Sequence, residues 1–315
     1  MNFLFLMDPL ETVKVKSDTS YIFMLGAADK GHRVFYLPSG GISLKEGTVS
    51  FSCTEVKPVA DETFPFEIIG DCELTEFDVD AVFIRTDPPF DGEYLMNTWL
   101  LDRAAENVVL INNPSAVRSV NEKIWATQFS DLIPRTVISR HLKDFKEFLQ
   151  KEGEIIIKPT DGFGGSGVFR ISKDGANKNV SFEVLSERGR REVIMQQYIP
   201  EASIGDKRIL LLNGEALGAV LRVHGEDDHR NNFYAGGKPV ACDITERDKE
   251  VIEVLKPQLQ KMGLYFVGID MLGDYLIEVN VTSPTCLQEM NRLYNLKLHH
   301  KVIEFAEKLV KERKA

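Results

Sequence analysis

The chain has 315 residues, 43% of them hydrophobic, and a net charge of −10, so it holds more than one hydrophobic core usually serves, and two or three domains around a cleft are expected. The negative balance, with no Lys/Arg stripe among aromatics, argues against a nucleic-acid partner. It also means that any site for an anionic nucleotide must gather positive charge locally. The four cysteines, Cys53, Cys72, Cys242 and Cys286, show no CxxC spacing for zinc or redox chemistry and fit a reducing cytoplasm. The apolar start, MNFLFLMDP, lacks a basic flank and is too short for a signal core or a membrane span.

In chain order, Asn2 to Met7 reads as a buried strand, Asp18 as the cap of a helix reaching Lys30 with Gly31 as its stop, and Arg33 to Leu37 as a returning strand. This order implies a right-handed crossover and a parallel sheet. Thr48 to Ser52 suggests a hairpin, Ala81 to Arg85 and Val108 to Asn112 strands, and Glu93 to Asn107 a helix. Residues 1–120 are therefore expected to form a doubly wound α/β domain. Asn121 to Phe129 reads as a helix, Thr136 to Ser139 as a strand and Asp144 to Lys151 as a helix. From Glu154 the pattern changes to strands joined by short turns: Ile155 to Lys158, Val168 to Ile171, Ile194 to Gln197, Arg208 to Leu212 and Ala216 to Val223. Such runs describe an antiparallel-rich α+β region, here divided at 121–200 and 201–315. Leu298 to Lys311 closes the chain as an amphipathic helix. His299 and His300 within it point about 100° apart, which argues against a shared metal.

The stretch Lys158-Pro-Thr-Asp-Gly162-Phe-Gly164-Gly165-Ser-Gly167 follows one strand and precedes another. Bare backbone there lets N–H groups approach phosphate oxygens. It is not a P-loop, because its lysine precedes the glycines, and no helix follows as a dinucleotide fingerprint requires. A flap between antiparallel strands remains, although the glycines alone fit a mobile hairpin tip equally well. Alternation turns Lys158 away from the apolar Ile155 and Ile157, and Lys123 could add a second cation. Taken alone, each lysine reads as a solvated surface charge; together they bracket the segment in which a nucleotide is expected.

Val267 to Val281 reads as a hairpin around Gly273-Asp274. Glu278 and Asn280 share a face, about 7 Å apart, and suit a hard cation such as Mg²⁺. A plain two-residue turn would pair Leu272 with Tyr275 and put Asp270 on the opposite face. A three-residue loop, Leu272-Gly273-Asp274 with its bulge, would bring Asp270, Glu278 and Asn280 together, and that arrangement is expected. The alternative, a half-exposed hairpin with solvated polar residues, sits poorly with its apolar neighbours Ile269, Met271, Ile277 and Val279.

With Asn121-Glu122-Lys123, the glycine flap, and Asp270 followed by Glu278-Val-Asn280-Val-Thr-Ser283-Pro-Thr285-Cys286 in this order, the chain resembles the ATP-grasp superfamily, and within it the prokaryotic glutathione synthetase family. The likeness runs end to end and includes Met7-Asp8-Pro9, Arg85-Thr-Asp87-Pro-Pro-Phe-Asp91, Gly205-Asp206-Lys207-Arg208 and Ala235-Gly236-Gly237. It implies an N-terminal α/β domain followed by an ATP-grasp domain. The activity implied is ATP-dependent ligation of γ-glutamylcysteine and glycine through an acyl phosphate. On the same resemblance Lys123, Lys158, Gly162, Gly164 and Gly165 hold ATP phosphates, Gln196, Gln197, Tyr198 and Ile199 meet adenine, and Asp206 faces ribose. Asp270, Glu278 and Asn280 bind Mg²⁺, or Mn²⁺, while Arg208 and Arg222 stabilise the transferring phosphoryl group and Arg230, also catalytic, belongs with Asn232 and Gly236 to a loop that closes over the site. Asp8, Arg85, Asp87, Asn232, Gly236, Ser283 and Thr285 are then substrate contacts, and a cytoplasmic homo-oligomer is implied. Two rivals remain from the residues themselves: another ATP-grasp amide ligase, and a non-catalytic nucleotide sensor.

Overall fold

The computed structural model describes residues 1–162, 164–223 and 237–315. Its first sheet contains β1 (Asn2–Leu6), β2 (Arg33–Leu37), β3 (Ile42–Lys45), β4 (Thr48–Pro58), β5 (Phe66–Thr75), β6 (Ala81–Ile84) and β7 (Val109–Ile111). The strands β2-β1-β6-β7 are parallel, whereas β3, β4 and β5 pair antiparallel. The expected parallel sheet is thus a mixed one. The hairpin signal at Thr48 opens a much longer arm, and β5 was hidden because half of its residues are exposed and none is fully buried, so no sustained apolar pattern marks it.

Period-two alternation sends the two faces of β1 to two cores. Phe3 and Phe5 pack with Phe23 and Met24 of α1 (Thr19–Asp29), and Leu4 and Leu6 with Leu101 and Ala104 of α2 (Gly92–Ala104). Asp18 caps α1 by accepting the Tyr21 N–H, as its position predicts. A short helix missed from sequence, α3 (Pro114–Ser119), starts with Asn113 as cap and Pro114 in its first turn.

The second sheet, in the order β10-β9-β11-β8, is antiparallel throughout: β8 (Thr136–Ser139), β9 (Glu154–Pro159), β10 (Phe169–Ser172) and β11 (Val193–Gln197). It packs on α4 (Leu142–Glu152) and α5 (Lys178–Leu185) through Phe145, Phe148, Ile155, Ile157, Phe182 and Met195. The third sheet runs β14-β13-β12-β15-β16, with β12 (Asp206–Leu212), β13 (Glu215–Val223), β14 (Lys238–Val240), β15 (Phe266–Leu272) and β16 (Tyr275–Asn280). One face is covered by α6 (Glu246–Met262), the other by α7 (Leu287–Tyr294) and the start of α8 (Leu298–Lys314).

The rest of α8 returns to the first sheet. Val302, Ile303, Ala306 and Val310 share a core with Phe3, Phe5 and Phe83, so this helix of the 201–315 stretch completes the packing of residues 1–120. At its start the His299 and His300 rings meet edge to face at 4.5 Å, with Asp29 close enough that one ligating atom of each lies within 4.8 Å. Helical spacing had suggested that they diverge. Asn291 takes the Leu298 N–H on its oxygen and donates its amide to Nδ1 of His299 (2.9 Å), which leaves the ring proton on Nε2. Burial, then the charge of His300, lowers His299 to about 4.

Buried Asn112 ties the first sheet to the third. Its side chain donates to the carbonyls of Phe266 and Val281, both at 2.8 Å, and accepts the Phe266 N–H at 2.8 Å.

Candidate active site

The hairpin β15–β16 is held by a two-residue turn, with Leu272 opposite Tyr275. The expected three-residue loop is therefore corrected. A bulge between Asp270 and Met271 takes up Ile277 and resets the register, so that Asp270 lies opposite Glu278 and Gly268 opposite Asn280. The three oxygen-bearing side chains share a face as expected, but through a bulge inside the ladder. The Asn280 amide lies 3.2 Å from the Gly268 carbonyl and 3.5 Å from Asp270 Oδ2.

The adjoining strands bring two arginines to the same face. Arg208 lies opposite Asp270, and Asp206 opposite Arg222. The Arg208 guanidinium forms a fork on Asp270, Nε to Oδ1 and Nη2 to Oδ2 at 2.9 Å. Arg222 Nη2 reaches Asp270 Oδ2 at 3.0 Å and also engages both oxygens of Asp206, with Nε at 3.2 Å from Oδ1. Both arginines and Asp270 are buried, so the four groups form a compensated network of two positive and two negative charges. Burial opposes ionisation of Asp270, but Arg208 and Arg222 outweigh it and hold the carboxyl well below the usual range. Burial wins at Asp206, whose pKa rises despite Arg222. Gly205 sets this corner: at φ +143° it lies so close to β13 that an added Cβ would sit 2.5 Å from the Arg222 carbonyl.

The two lysines arrive from the other side of the cleft. Lys123 Nζ donates to Glu278 Oε1 at 2.9 Å and to the Gly162 carbonyl at the root of the glycine flap. Lys158, on β9, is 6% exposed, with its ammonium 3.3 Å from Gln196 Oε1 on β11. Burial pushes it down to about 8; the charge of Lys123 acts the same way, while Glu278 and Asp270 pull it up. The side chains expected at phosphate and metal thus converge although 112 residues separate Lys158 from Asp270 in the chain. Gly164, Gly165 and Gly167 of the flap all have positive φ.

The expected helix from Asn121 to Phe129 is reduced to a 3₁₀ turn, Trp125–Gln128. The cause is Glu122, whose carbonyl accepts the Val279 N–H (2.9 Å) like a partner strand, keeping the backbone out of a helix. Its buried carboxylate takes the Val281 and Thr282 N–H groups and the Thr282 hydroxyl on one oxygen, at 2.7, 3.0 and 2.9 Å. Burial, then Glu278, raises its pKa. Sequence reading passed over this residue. Its signal was an acid set between a capping Asn and a site lysine.

In the segment expected to meet adenine, the Gln197 N–H donates to the Arg135 carbonyl (2.9 Å) and the Tyr198 N–H to that of Glu154 (3.3 Å). These two donors are therefore spent within the sheet. The Gln196 amide donates to Thr136 Oγ1 at 2.9 Å, the Tyr198 ring carries the Arg170 guanidinium at 4.0 Å, and Ile199 is buried.

Asp8, Arg85 and Asp87 stand at the carboxyl ends of β1 and β6. The chain leaves β1 for β2 on one side and comes to β6 on the other, so this is a topological switch point. Asp8 accepts the Asp87 N–H at 2.8 Å, and Asp87 hydrogen-bonds Ser283. Buried Arg85 donates to Ser20 Oγ (3.1 Å) and the Pro284 carbonyl (3.0 Å). Its Nη1, Thr86 Oγ1 and the Tyr94 hydroxyl are buried without hydrogen-bond partners among the described residues. Thr285 Oγ1 lies 3.9 Å from the Cys286 sulfur. Arg230, Asn232 and Gly236 fall outside the described residues.

Comparison with known proteins agrees with this layout. The model of the prokaryotic glutathione synthetase N-terminal domain matches residues 1–118, and that of the prokaryotic glutathione synthetase ATP-grasp domain matches residues 122–295. The glutathione synthetase of Gloeobacter violaceus is 39% identical over 313 residues, covering 97% of this chain and 96% of its own. That of Pseudomonas aeruginosa is 36% identical over 300 residues and 95% of both chains. Among solved structures, a D-cycloserine synthetase superposes with TM-score 0.65 at 15% identity, covering 99% of both chains. An ATP-grasp ligase of Chryseobacterium gregarium, solved with ADP and a leader and core peptide, gives 0.64 at 15% identity, covering 99% of this chain and 97% of its own. At such identities the structural likeness speaks for the fold.

Proposed function

Because the chain belongs to the prokaryotic glutathione synthetase family, whose ATP-dependent reaction joins γ-glutamylcysteine to glycine, we propose that the face shared by Asp270, Glu278, Asn280, Arg208, Arg222, Lys123 and Lys158 carries out that ligation. The observation that carries this reading is the meeting of the two lysines with the hairpin carboxylates. A carboxylate does not condense with an amine in water at neutral pH. The reaction activates the cysteinyl carboxylate by attack on the γ-phosphorus of ATP, with ADP leaving. The neutral amine of glycine then adds to the acyl carbon and phosphate departs.

The chain's part is positioning and charge compensation. Lys123 and Lys158 neutralise phosphate oxygens, and the flap Gly162, Gly164 and Gly165 lies over them to keep water from the acyl phosphate. The carbonyls of Gln196 to Tyr198, rather than the N–H groups of Gln197 and Tyr198, meet the adenine, and Ile199, whose carbonyl already accepts the Ala202 N–H, flanks it. Asp206 is better read as the group that fixes Arg222 than as a ribose contact. Two carboxylates and an amide oxygen on one face, Asp270 buried and the other two half-buried, suit a hard divalent ion, which Asp270, Glu278 and Asn280 would hold as Mg²⁺, or Mn²⁺. Such an ion, when bound, supplies further positive charge to the phosphates. At the switch point, Arg85 Nη1, the Thr86 and Tyr94 hydroxyls and the carboxylates of Asp8 and Asp87 match a zwitterionic amino-acid head, and we assign them to the γ-glutamyl α-carboxylate and α-ammonium. Thr285 and the remainder of the Ser283 loop lie toward the other substrate. A cytoplasmic setting is supported by four unpaired thiols.

The test is phosphate release with ATP, γ-glutamylcysteine and glycine. Arg208→Ala or Arg222→Ala should lower turnover by about 10² to 10³ while leaving nucleotide affinity within a few-fold. Equal turnover with D-alanine or glutamate in place of the natural substrates would overturn the specificity assignment.

A further inference from the structure

The sulfur atoms of Cys53 on β4 and Cys72 on β5 lie 3.5 Å apart although 19 positions separate them in the chain. Strand register places the two residues directly opposite each other, and among the described strands β5 pairs only with β4. Directly opposed residues in antiparallel strands hold their Cβ atoms at roughly 4.5 to 5.5 Å, and a disulfide needs roughly 3.5 to 4.5 Å. Closure therefore asks for a side-chain rotation and a small approach of an edge strand that has no second neighbour to hold it back. Cys242 and Cys286 are placed differently: Cys242 lies by the Tyr294 hydroxyl and Cys286 is buried beside Thr285.

We propose that Cys53 and Cys72 are a redox-sensitive dithiol that closes to a reversible cross-strand disulfide by exchange with a small-molecule disulfide. Cys72 is the half-exposed member and Cys53 the buried one, and burial with the hydrogen bond to Cys72 pushes the Cys53 thiol up. Attack therefore begins at Cys72. Its thiolate adds to one sulfur of the small disulfide and breaks that S–S bond, and the released thiolate takes up the proton that Cys72 lost. Cys53 then gives up its proton and attacks the Cys72 sulfur of the mixed disulfide, releasing the second small thiol, which takes that proton. Two protein thiols are oxidised and one disulfide is reduced to two thiols, with no other reactant. The bond closes a loop whose tip already touches the first helix, through the Tyr21 hydroxyl on the Val59 carbonyl (2.6 Å), and the segment before that helix, through Lys16 on Glu62 (2.8 Å).

The experiment incubates the folded full-length protein with glutathione disulfide at graded thiol-to-disulfide ratios, followed by alkylation and intact mass. A loss of about 2 Da before alkylation and two fewer alkyl groups than the reduced chain after it, a non-reducing digest linking the Cys53 and Cys72 peptides, and reversal by dithiothreitol are expected. Cys53→Ser should stop at a mixed disulfide on Cys72, and Cys72→Ser should take up nothing at this hairpin. A wild-type chain in which Cys72 stays free or keeps a mixed disulfide, or in which the link forms only in urea, overturns the proposal.

Discussion

Lys158 is buried although its proposed task depends on charge. Below about 8 its ammonium is charged in both the folded and the unfolded chain. From there up to the ordinary lysine value of 10.5 only the unfolded chain keeps the proton, so the free protein gains stability as pH rises through this window. A bound polyphosphate demands the charged form, so binding above pH 8 must take up a proton. The KM for ATP should therefore climb by up to about tenfold per pH unit above that point, and Lys158→Arg should flatten the climb. A wild-type KM that is level from pH 7 to 10 would contradict this. Glu122 acts by a different means, one oxygen collecting three donors at the end of the β15–β16 hairpin. Glu122→Ala orphans all three and should cost about 3 kcal/mol in urea unfolding. Glu122→Gln keeps an accepting oxygen and should cost far less.

The elements show which signals reach the sequence and which do not. The first helix was legible because Asp18 and Gly31 mark its ends, and the strand carrying Lys158 because the β-branched run Ile155 to Ile157 leads into it. The helix from Glu246 to Met262 carries a Thr245/Asp248 capping box and a terminal Gly263, yet Pro257 in its interior masked the pattern. The hairpin bulge could not be read, because Ile277 looks like any other apolar strand residue until its neighbours are paired. Of the site, the lysines and hairpin oxygens were legible as motifs. The pairing of Asp206 and Asp270 with two arginines was not, since it depends on cross-strand register in the third sheet. That corner is also testable through the backbone. Gly205→Ala would drive a methyl group into the Arg222 carbonyl, part the two strands and displace both arginines. The expected loss is about 2 kcal/mol of stability, with turnover falling more than ATP affinity.

At the scale of the whole molecule, the cleft closes between the second sheet, which brings Lys158, and the third, which brings Glu278. A nucleotide that bridges them should stabilise the fold by about 2.7 kcal/mol at a hundredfold excess over Kd. A non-hydrolysable ATP analogue with Mg²⁺ should therefore raise the melting temperature by several degrees. Chelation with EDTA should remove most of that gain, and an equal shift with and without metal would speak against the hairpin as a cation site. The return of the helix Leu298–Lys314 to the first sheet has another consequence. Phe3, Phe5 and Phe83 are covered by Val302, Ile303 and Val310, partners that the ribosome adds some 220 to 300 residues later. During synthesis the nascent first sheet must wait with that aromatic face only partly covered, by Phe23 and Met24 of α1, a natural target for chaperones and a cause of inclusion bodies whenever residues 1–120 are expressed without the returning helix.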